Sequence, residues 1–208
     1  PTSQGELVVK PISHATFVPG QGDAPPKLAA RTPTGRLLLV DLAADKAAKN
    51  AVTELDQQIG FTLATAANGC CLAYMQGDMG FQSVLRIHDL RSGEIRSIVL
   101  GENAWSPAIS PDADRVIYVA PSSTGAAAIY LRDLNAPDAK NQVLVAEADV
   151  FPSGAQPPFW TEDGIFFAGE KGAYHLDLAG KITPIDADAD GLFIDLSRGR
   201  VLDGAGRE

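Results

Sequence analysis

Short apolar runs bounded by turn-forming residues recur along the chain at a near-constant interval. An Asp-Leu pair closes such a run four times, at Asp41-Leu42, Asp89-Leu90, Asp133-Leu134 and Asp177-Leu178, with spacings of 48, 44 and 44 residues. The runs before these pairs share one character: Leu37-Leu38-Leu39-Val40, Val84-Leu85-Arg86-Ile87-His88, Ile129-Tyr130-Leu131-Arg132 and Ala173-Tyr174-His175-Leu176. A second register lies upstream. Asn68-Gly69 precedes Cys71-Leu72-Ala73-Tyr74, Asp112-Ala113-Asp114 precedes Val116-Ile117-Tyr118-Val119, and Asp163-Gly164 precedes Ile165-Phe166-Phe167-Ala168. Arg198-Gly199 before Arg200-Val201-Leu202 reads as the next member, cut short. Asn-Gly and Asp-Gly favour hairpins because both central residues can take a positive φ.

Each unit then reads as four short strands. In one they cover residues 106–110, 115–120, 128–133 and 142–146; in the unit before, residues 61–65, 70–75, 84–89 and 95–100. Four strands per roughly 40–45 residues is the period of a propeller blade. The predicted fold is therefore all-β, a β-propeller of four-stranded antiparallel blades. Repeats are expected at about 16–58, 59–102, 103–148 and 149–187, with a partial one at 188–208. Blades stack face to face, so both faces of an inner strand are covered; this explains why runs such as 116–119 and 165–168 are continuously apolar. Only residues 42–55, rich in alanine, have much helix propensity. They are read as a loop between two strands, with at most one helical turn, which explains the longer first spacing. The count predicts about five blades or a fragment of a larger ring. The partial blade would be completed by residues 5–15, with His14–Val18 as a further contributor, or by a second chain. Closure would remove the exposed apolar ends.

Charge narrows the partners. With 26 acidic and 17 basic side chains the formal charge is -9, a balance that repels phosphate backbones and anionic lipid, so nucleic acid is not an expected partner. No run approaches the roughly 18 apolar residues needed to span a bilayer, so no membrane insertion is expected. The start, Pro1-Thr2-Ser3-Gln4-Gly5, lacks a charged and an apolar region, so no uncleaved signal peptide is expected. The two cysteines are neighbours, Cys70 and Cys71. Adjacent side chains on a strand point to opposite faces, and a vicinal disulfide is strained, so both are expected as reduced core residues on either side of a strand.

At Ser106-Pro107-Ala108-Ile109-Ser110-Pro111-Asp112-Ala113-Asp114-Arg115-Val116-Ile117-Tyr118-Val119, followed by Ile129-Tyr130-Leu131-Arg132-Asp133-Leu134, the chain resembles the repeat of TolB-like propellers. That repeat has a P-x-x-S-P-D-G-x-x-I-x-Y/F core and an I-Y-x-x-D-L strand. The match is degraded around Thr65–Gly69 and Pro158–Gly164 and poor before residue 60. The resemblance implies a periplasmic or extracellular propeller. It occurs both in envelope binding proteins and in the gating propellers of prolyl oligopeptidase-like hydrolases. The leading expectation is a non-enzymatic binding or scaffold propeller that holds a protein partner in the bacterial envelope. The alternative is the substrate-gating propeller of a larger hydrolase.

Candidate chemistry is sparse. Asp186-Ala187-Asp188-Ala189-Asp190-Gly191 fits the first half of a calcium loop, in which alternate aspartates put hard oxygens on one side of a turn. Asp195 follows the glycine by four residues, and Ser197 stands where an EF-hand has its bidentate Glu. Asp186, Asp188, Asp190 and Asp195 are thus either a calcium site, the one cofactor the sequence suggests, or a solvated acidic turn. No Gly-x-Ser-x-Gly elbow or phosphate-binding glycine loop occurs. His14, His88 and His175 are expected to be structural or surface residues; His88 and His175 sit one position apart relative to Asp-Leu, on opposite faces. Trp105, Phe151, Phe159 and Trp160 cluster where one blade hands over to the next, either as core packing or as a partner-binding surface.

Overall fold

A computed structural model describes residues 12–44, 51–76, 82–136, 140–146, 148–152, 158–169, 172–185, 193–195 and 200–202. These contain strands and turns and no helix. The first sheet is β1 (His14–Val18), β2 (Lys27–Arg31), β3 (Leu37–Asp41) and β4 (Val52–Asp56). The second is β5 (Ile59–Thr65), β6 (Cys71–Gln76), β7 (Gln82–Asp89) and β8 (Ile95–Glu102). The third is β9 (Trp105–Ile109), β10 (Arg115–Pro121), β11 (Ala127–Asp133) and β12 (Gln142–Val145). The fourth is β13 (Phe159–Thr161), β14 (Gly164–Gly169), β15 (Gly172–Leu176) and β16 (Ile182–Ile185). In each sheet the strands pair antiparallel in sequence order, and β17 (Phe193–Asp195) pairs with β18 (Arg200–Leu202) as a two-stranded sheet. This is a β-propeller of four-stranded antiparallel blades.

Two readings change. Val52–Asp56, which overlaps the end of the segment 42–55 read as a loop, is the outer strand of the first blade, with Val40 opposite Val52. Its register shift between Leu37 and Leu38 and its exposed first residues hid the alternation. His14–Val18 does not join the last repeat: it is an edge strand of the first blade, with Phe17 opposite Leu28. Residues 5–11, the rest of the expected closing segment, lie outside the described residues.

Three turns, β2–β3, β5–β6 and β9–β10, share one design, and it is not the two-residue hairpin that Asn-Gly suggests. The N–H of Gly35 bonds to the Thr32 carbonyl, that of Gly69 to Ala66, and that of Ala113 to Ser110, closing a four-residue turn each time. The closing residue is left-handed, with φ 77° at Gly35, 70° at Gly69 and 60° at Ala113. Such a turn needs one positive φ where the two-residue type needs two. Ala113 stands where the TolB-like repeat has glycine, so its Cβ meets the steric cost that glycine avoids. Gly69 is further constrained by space: a Cβ there would lie 2.1 Å from the Pro19 carbonyl oxygen.

The cores lie between blades. Alternate residues of β10 sort into two clusters: Val116, Tyr118 and Ala120 pack toward the second blade with Cys71, Ala73 and Leu85, while Ile117 and Val119 pack toward the fourth with Trp160, Ile165 and Phe167. β6 divides in the same way. Leu72 and Tyr74 join Leu37 and Val18 of the first blade, and Ala73 and Met75 face the third. A continuously apolar run is thus a period-two strand with apolar neighbours on both faces. Polar links join the first two blades as well. Tyr74 donates to Asp56 at 2.7 Å, Arg86 pairs with the same carboxylate at 3.1 Å, and Arg31 Nε donates to the Ile59 carbonyl at 3.1 Å.

Candidate inter-blade pocket

A pocket of about 300 Å³ opens between the second and third blades, at the end of the fold that carries the β5–β6, β7–β8 and β9–β10 turns and the segment after β11. Its floor is buried and made by Cys70, Cys71 and Ile87. Its walls come from four turns. Asn68 belongs to the β5–β6 turn, Asp89, Arg91 and Glu94 to the β7–β8 turn, and Asp112 and Asp114 to the β9–β10 turn; Asn135 follows β11.

Local hydrogen bonds hold these side chains. Asp89 accepts from the N–H groups of Arg91 and Ser92, at 2.8 and 2.9 Å. The bond from Ser92 is the main reason that the Asp89 carboxyl lies below its ordinary range. Ser110 donates to Asp112 at 2.5 Å and holds that carboxyl down as well. Asn135 reaches across to Asp114 at 2.7 Å, and the Arg96 guanidinium, on β8, donates to the Leu134 carbonyl, bridging the two blades. Four carboxylates (Asp89, Glu94, Asp112, Asp114) face two guanidiniums (Arg91, Arg96), so the rim carries an excess of negative charge.

The cysteines depart from expectation. Cys70 is not on a strand but in the turn that Gly69 closes, where its N–H bonds to Asn68 Oδ1 at 2.9 Å. The alternation that separates neighbours on a strand does not apply there. Both thiols are free and buried, in the same core cluster, with their Sγ atoms 2.8 Å apart. That contact lowers the Cys70 thiol below its usual value and raises that of Cys71.

The other candidates lie elsewhere. Trp160 is buried and Trp105 and Phe151 half-buried in the cluster between the third and fourth blades. The Trp105 and Phe151 rings meet edge-on at 6.1 Å, and Arg115 lies 5.5 Å from the centre of the Trp160 ring. Phe159 is buried on β13, opposite Phe166. Asp186, Asp188 and Asp190 lie outside the described residues; Asp195 is in β17, its Cα opposite that of Arg200. Among the described residues no group of three or more His, Cys, Asp or Glu side chains is arranged to hold a metal ion. Melting with added calcium and with chelator separates the two readings of the acidic loop: a calcium site melts higher with the ion, a solvated turn equally in both. His88 is buried on β7 with its Nδ1 unpartnered, and its pKa is lowered by burial. His175 Nε2 lies 2.9 Å from the Asp163 carbonyl, across the Asp163-Gly164 turn. Sequence reasoning missed the pocket, although adjacent cysteines beside an Asn-Gly turn and acids in the next blade's turn were visible.

No family model matches the chain, and no curated protein matches it. Solved structures do. The chain is similar to "putative TolB" from Agrobacterium tumefaciens, with TM-score 0.62 and 17% identity, over 86% of this chain and 64% of that one. It is similar to TolB from Acinetobacter baumannii (TM-score 0.56, 15% identity), over 81% of this chain and 42% of that one. It is also similar to a puromycin-hydrolyzing peptidase of Mycobacterium tuberculosis (TM-score 0.55, 18% identity), over 84% of this chain and 31% of that one. The chain therefore spans less than two thirds of each. At these identities the likeness is one of fold.

Proposed function

We propose that this chain is a non-enzymatic binding propeller of the bacterial envelope, which holds a segment of a protein partner in the pocket between its second and third blades. One observation carries the reading: four carboxylates and two guanidiniums, held by turns and by strand β8, surround a small buried floor. A lysine or arginine of an extended partner segment suits such a rim, because its apolar stem lies on the floor while its charge meets the carboxylates. Turns anchored to rigid sheets keep the ordering cost of binding low. The envelope location draws its support from the TolB-like repeat and from the fold likeness to TolB.

The test is a peptide array probed with the purified chain. Sequences bearing lysine or arginine should be enriched, and their binding should weaken at high salt and in an Asp112→Asn, Asp114→Asn double variant. Binding that ignores both salt and these substitutions would remove the pocket from the proposal.

A second reading has its own support. The fold likeness to the mycobacterial peptidase covers 31% of that protein, as a single propeller within a larger enzyme would. Under it, the chain is the substrate-gating propeller of a hydrolase. A Gly-x-Ser-x-Gly nucleophile elbow in a flanking domain of the same reading frame would decide for this reading.

A further inference from the structure

The floor of the pocket holds the only two nucleophilic thiols of the chain, Cys70 and Cys71, and the function proposed above does not use them. Their placement has three parts. They are held together: the Cys70 N–H is bonded to Asn68, the Cys70 carbonyl to the Leu90 N–H at 2.8 Å, and the Cys71 carbonyl to the Ala66 N–H at 3.0 Å. They face each other, with Sγ atoms 2.8 Å apart. And they line a pocket whose rim is exposed, so a small polar solute has a route to them. We propose that Cys70 and Cys71 are a reversible dithiol–disulfide site, oxidised within the chain by small hydroperoxides that enter the inter-blade pocket.

The chemistry balances in two steps. The Cys70 sulfur, as thiolate, attacks the outer oxygen of the hydroperoxide; an S–O bond forms, the O–O bond breaks, and the alcohol (water, for hydrogen peroxide) leaves with a proton. Cys71 sulfur then attacks the Cys70 sulfenic acid; the S–S bond forms, the S–O bond breaks, and the hydroxyl leaves as water with the Cys71 proton. Two thiols lose two electrons, and one hydroperoxide gains them. The roles follow the site: Cys71, 2.8 Å away, is placed to stabilise a thiolate at Cys70, while the nearby charges work against each other, Asp89 opposing the thiolate and Arg91 favouring it. Closure needs the sulfurs to approach from 2.8 Å to about 2.05 Å. Neighbouring Cα atoms are about 3.8 Å apart across a trans peptide, below the usual disulfide range of roughly 4.4–6.8 Å, so the ring is strained. A strained disulfide is readily reduced, which makes the step reversible by a dithiol reductant through thiol–disulfide exchange.

The test treats the reduced full chain with one equivalent of hydrogen peroxide and follows intact mass and free thiols. The expected product is monomeric, lighter by two hydrogens, without free thiols, and restored by dithiothreitol. It should form about tenfold faster in the folded chain than in the same chain in urea, since the unfolded thiols lose the contact that favours the thiolate. In Cys71→Ser the reaction should stop at a sulfenic acid on Cys70, trapped by dimedone. Should that variant fail to fold, peptide mapping of the oxidised wild-type chain serves instead, with the Cys70–Cys71 peptide resisting alkylation until reduced. Disulfide-linked dimers, over-oxidation of separate cysteines, or equal rates in folded and unfolded chains would each overturn the proposal.

Discussion

The third blade turns two different faces to its neighbours, although one strand, β10, supplies both. Toward the fourth blade, Ile117 and Val119 meet Trp160, Ile165 and Phe167, with Trp105 and Phe151 at the margin. Toward the second, Val116 and Tyr118 meet the aliphatic Leu85 and Ile87 together with small residues, among them Ala64, Ala66, Ala73 and the two cysteines. Large rings fill one interface; on the other, aliphatic and small side chains form the core and polar turns leave a pocket at one end. The lesson is that an inter-blade contact need not be sealed along its whole length. The apolar part can supply stability while the turn end is left for recognition.

The largest test of this contrast is Phe167→Ala. Phe167 is buried against the third blade and stacks on Tyr174 at 5.6 Å between ring centres. Its truncation should cost about 3–5 kcal/mol in urea-unfolding experiments. A loss below about 1 kcal/mol would show that the sealed interface is not where stability resides.

The contact between the first and second blades extends the comparison, since there a polar cluster is buried within it. Tyr74→Phe removes the phenol that donates to Asp56 at 2.7 Å and leaves the Arg86 pair. Burial and that carboxylate hold the phenol protonated. A hydrogen bond to a charged group predicts a loss of about 1.5–2 kcal/mol, read from the same urea curves.

His88, on the same blade, gives a pH signature. Burial lowers its pKa in the folded chain, so near and below the ordinary histidine value the unfolded chain binds more protons than the folded one. Stability is then greatest above that value and declines as pH falls through about 6.5. Asp89 and Asp112 are lowered carboxyls, and their contribution is lost only further down, through the carboxylate range. The melting midpoint should therefore fall between pH 7.5 and 5.5 in the wild-type chain and stay flatter in His88→Gln.

Two smaller effects concern the pocket side. Ala113→Gly should stabilise the fold by roughly 0.5–1 kcal/mol, because relief at φ 60° outweighs the added freedom of the unfolded chain. Calorimetry reads this as a higher melting midpoint. Asp114→Asn, at the exposed rim, should change stability by less than about 0.5 kcal/mol while weakening cationic peptides. A rim substitution as damaging as Phe167→Ala would erase the contrast between the two faces.

Much of the architecture was legible because a strand's alternation and a turn's φ requirement are local. The four Asp-Leu positions at 48, 44 and 44 residues announced the blades, and the predicted strands of the third blade match β9–β12 within a residue or so. Errors arose where local signals were weak or borrowed. Val52–Asp56 pairs across a register shift, with exposed residues at its start. Cys70 reads as the first residue of the apolar run 70–75, but Gly69 and Asn68 keep it in the turn. The pocket was not legible, because no single segment contains it.

The covalent chain by itself determined where strands begin, where they turn, and that each inner strand must be covered on both faces. Those properties depend on residues a few positions apart, through steric limits on the backbone and the side-chain period of two. Only the packing of one blade on the next decided that Asp112 and Asp114 stand opposite Asp89 and Arg91, that Trp160 seals one contact, and that two thiols form the floor of another. Such meetings join residues of different sheets, and their geometry follows from the angle and separation at which whole blades pack.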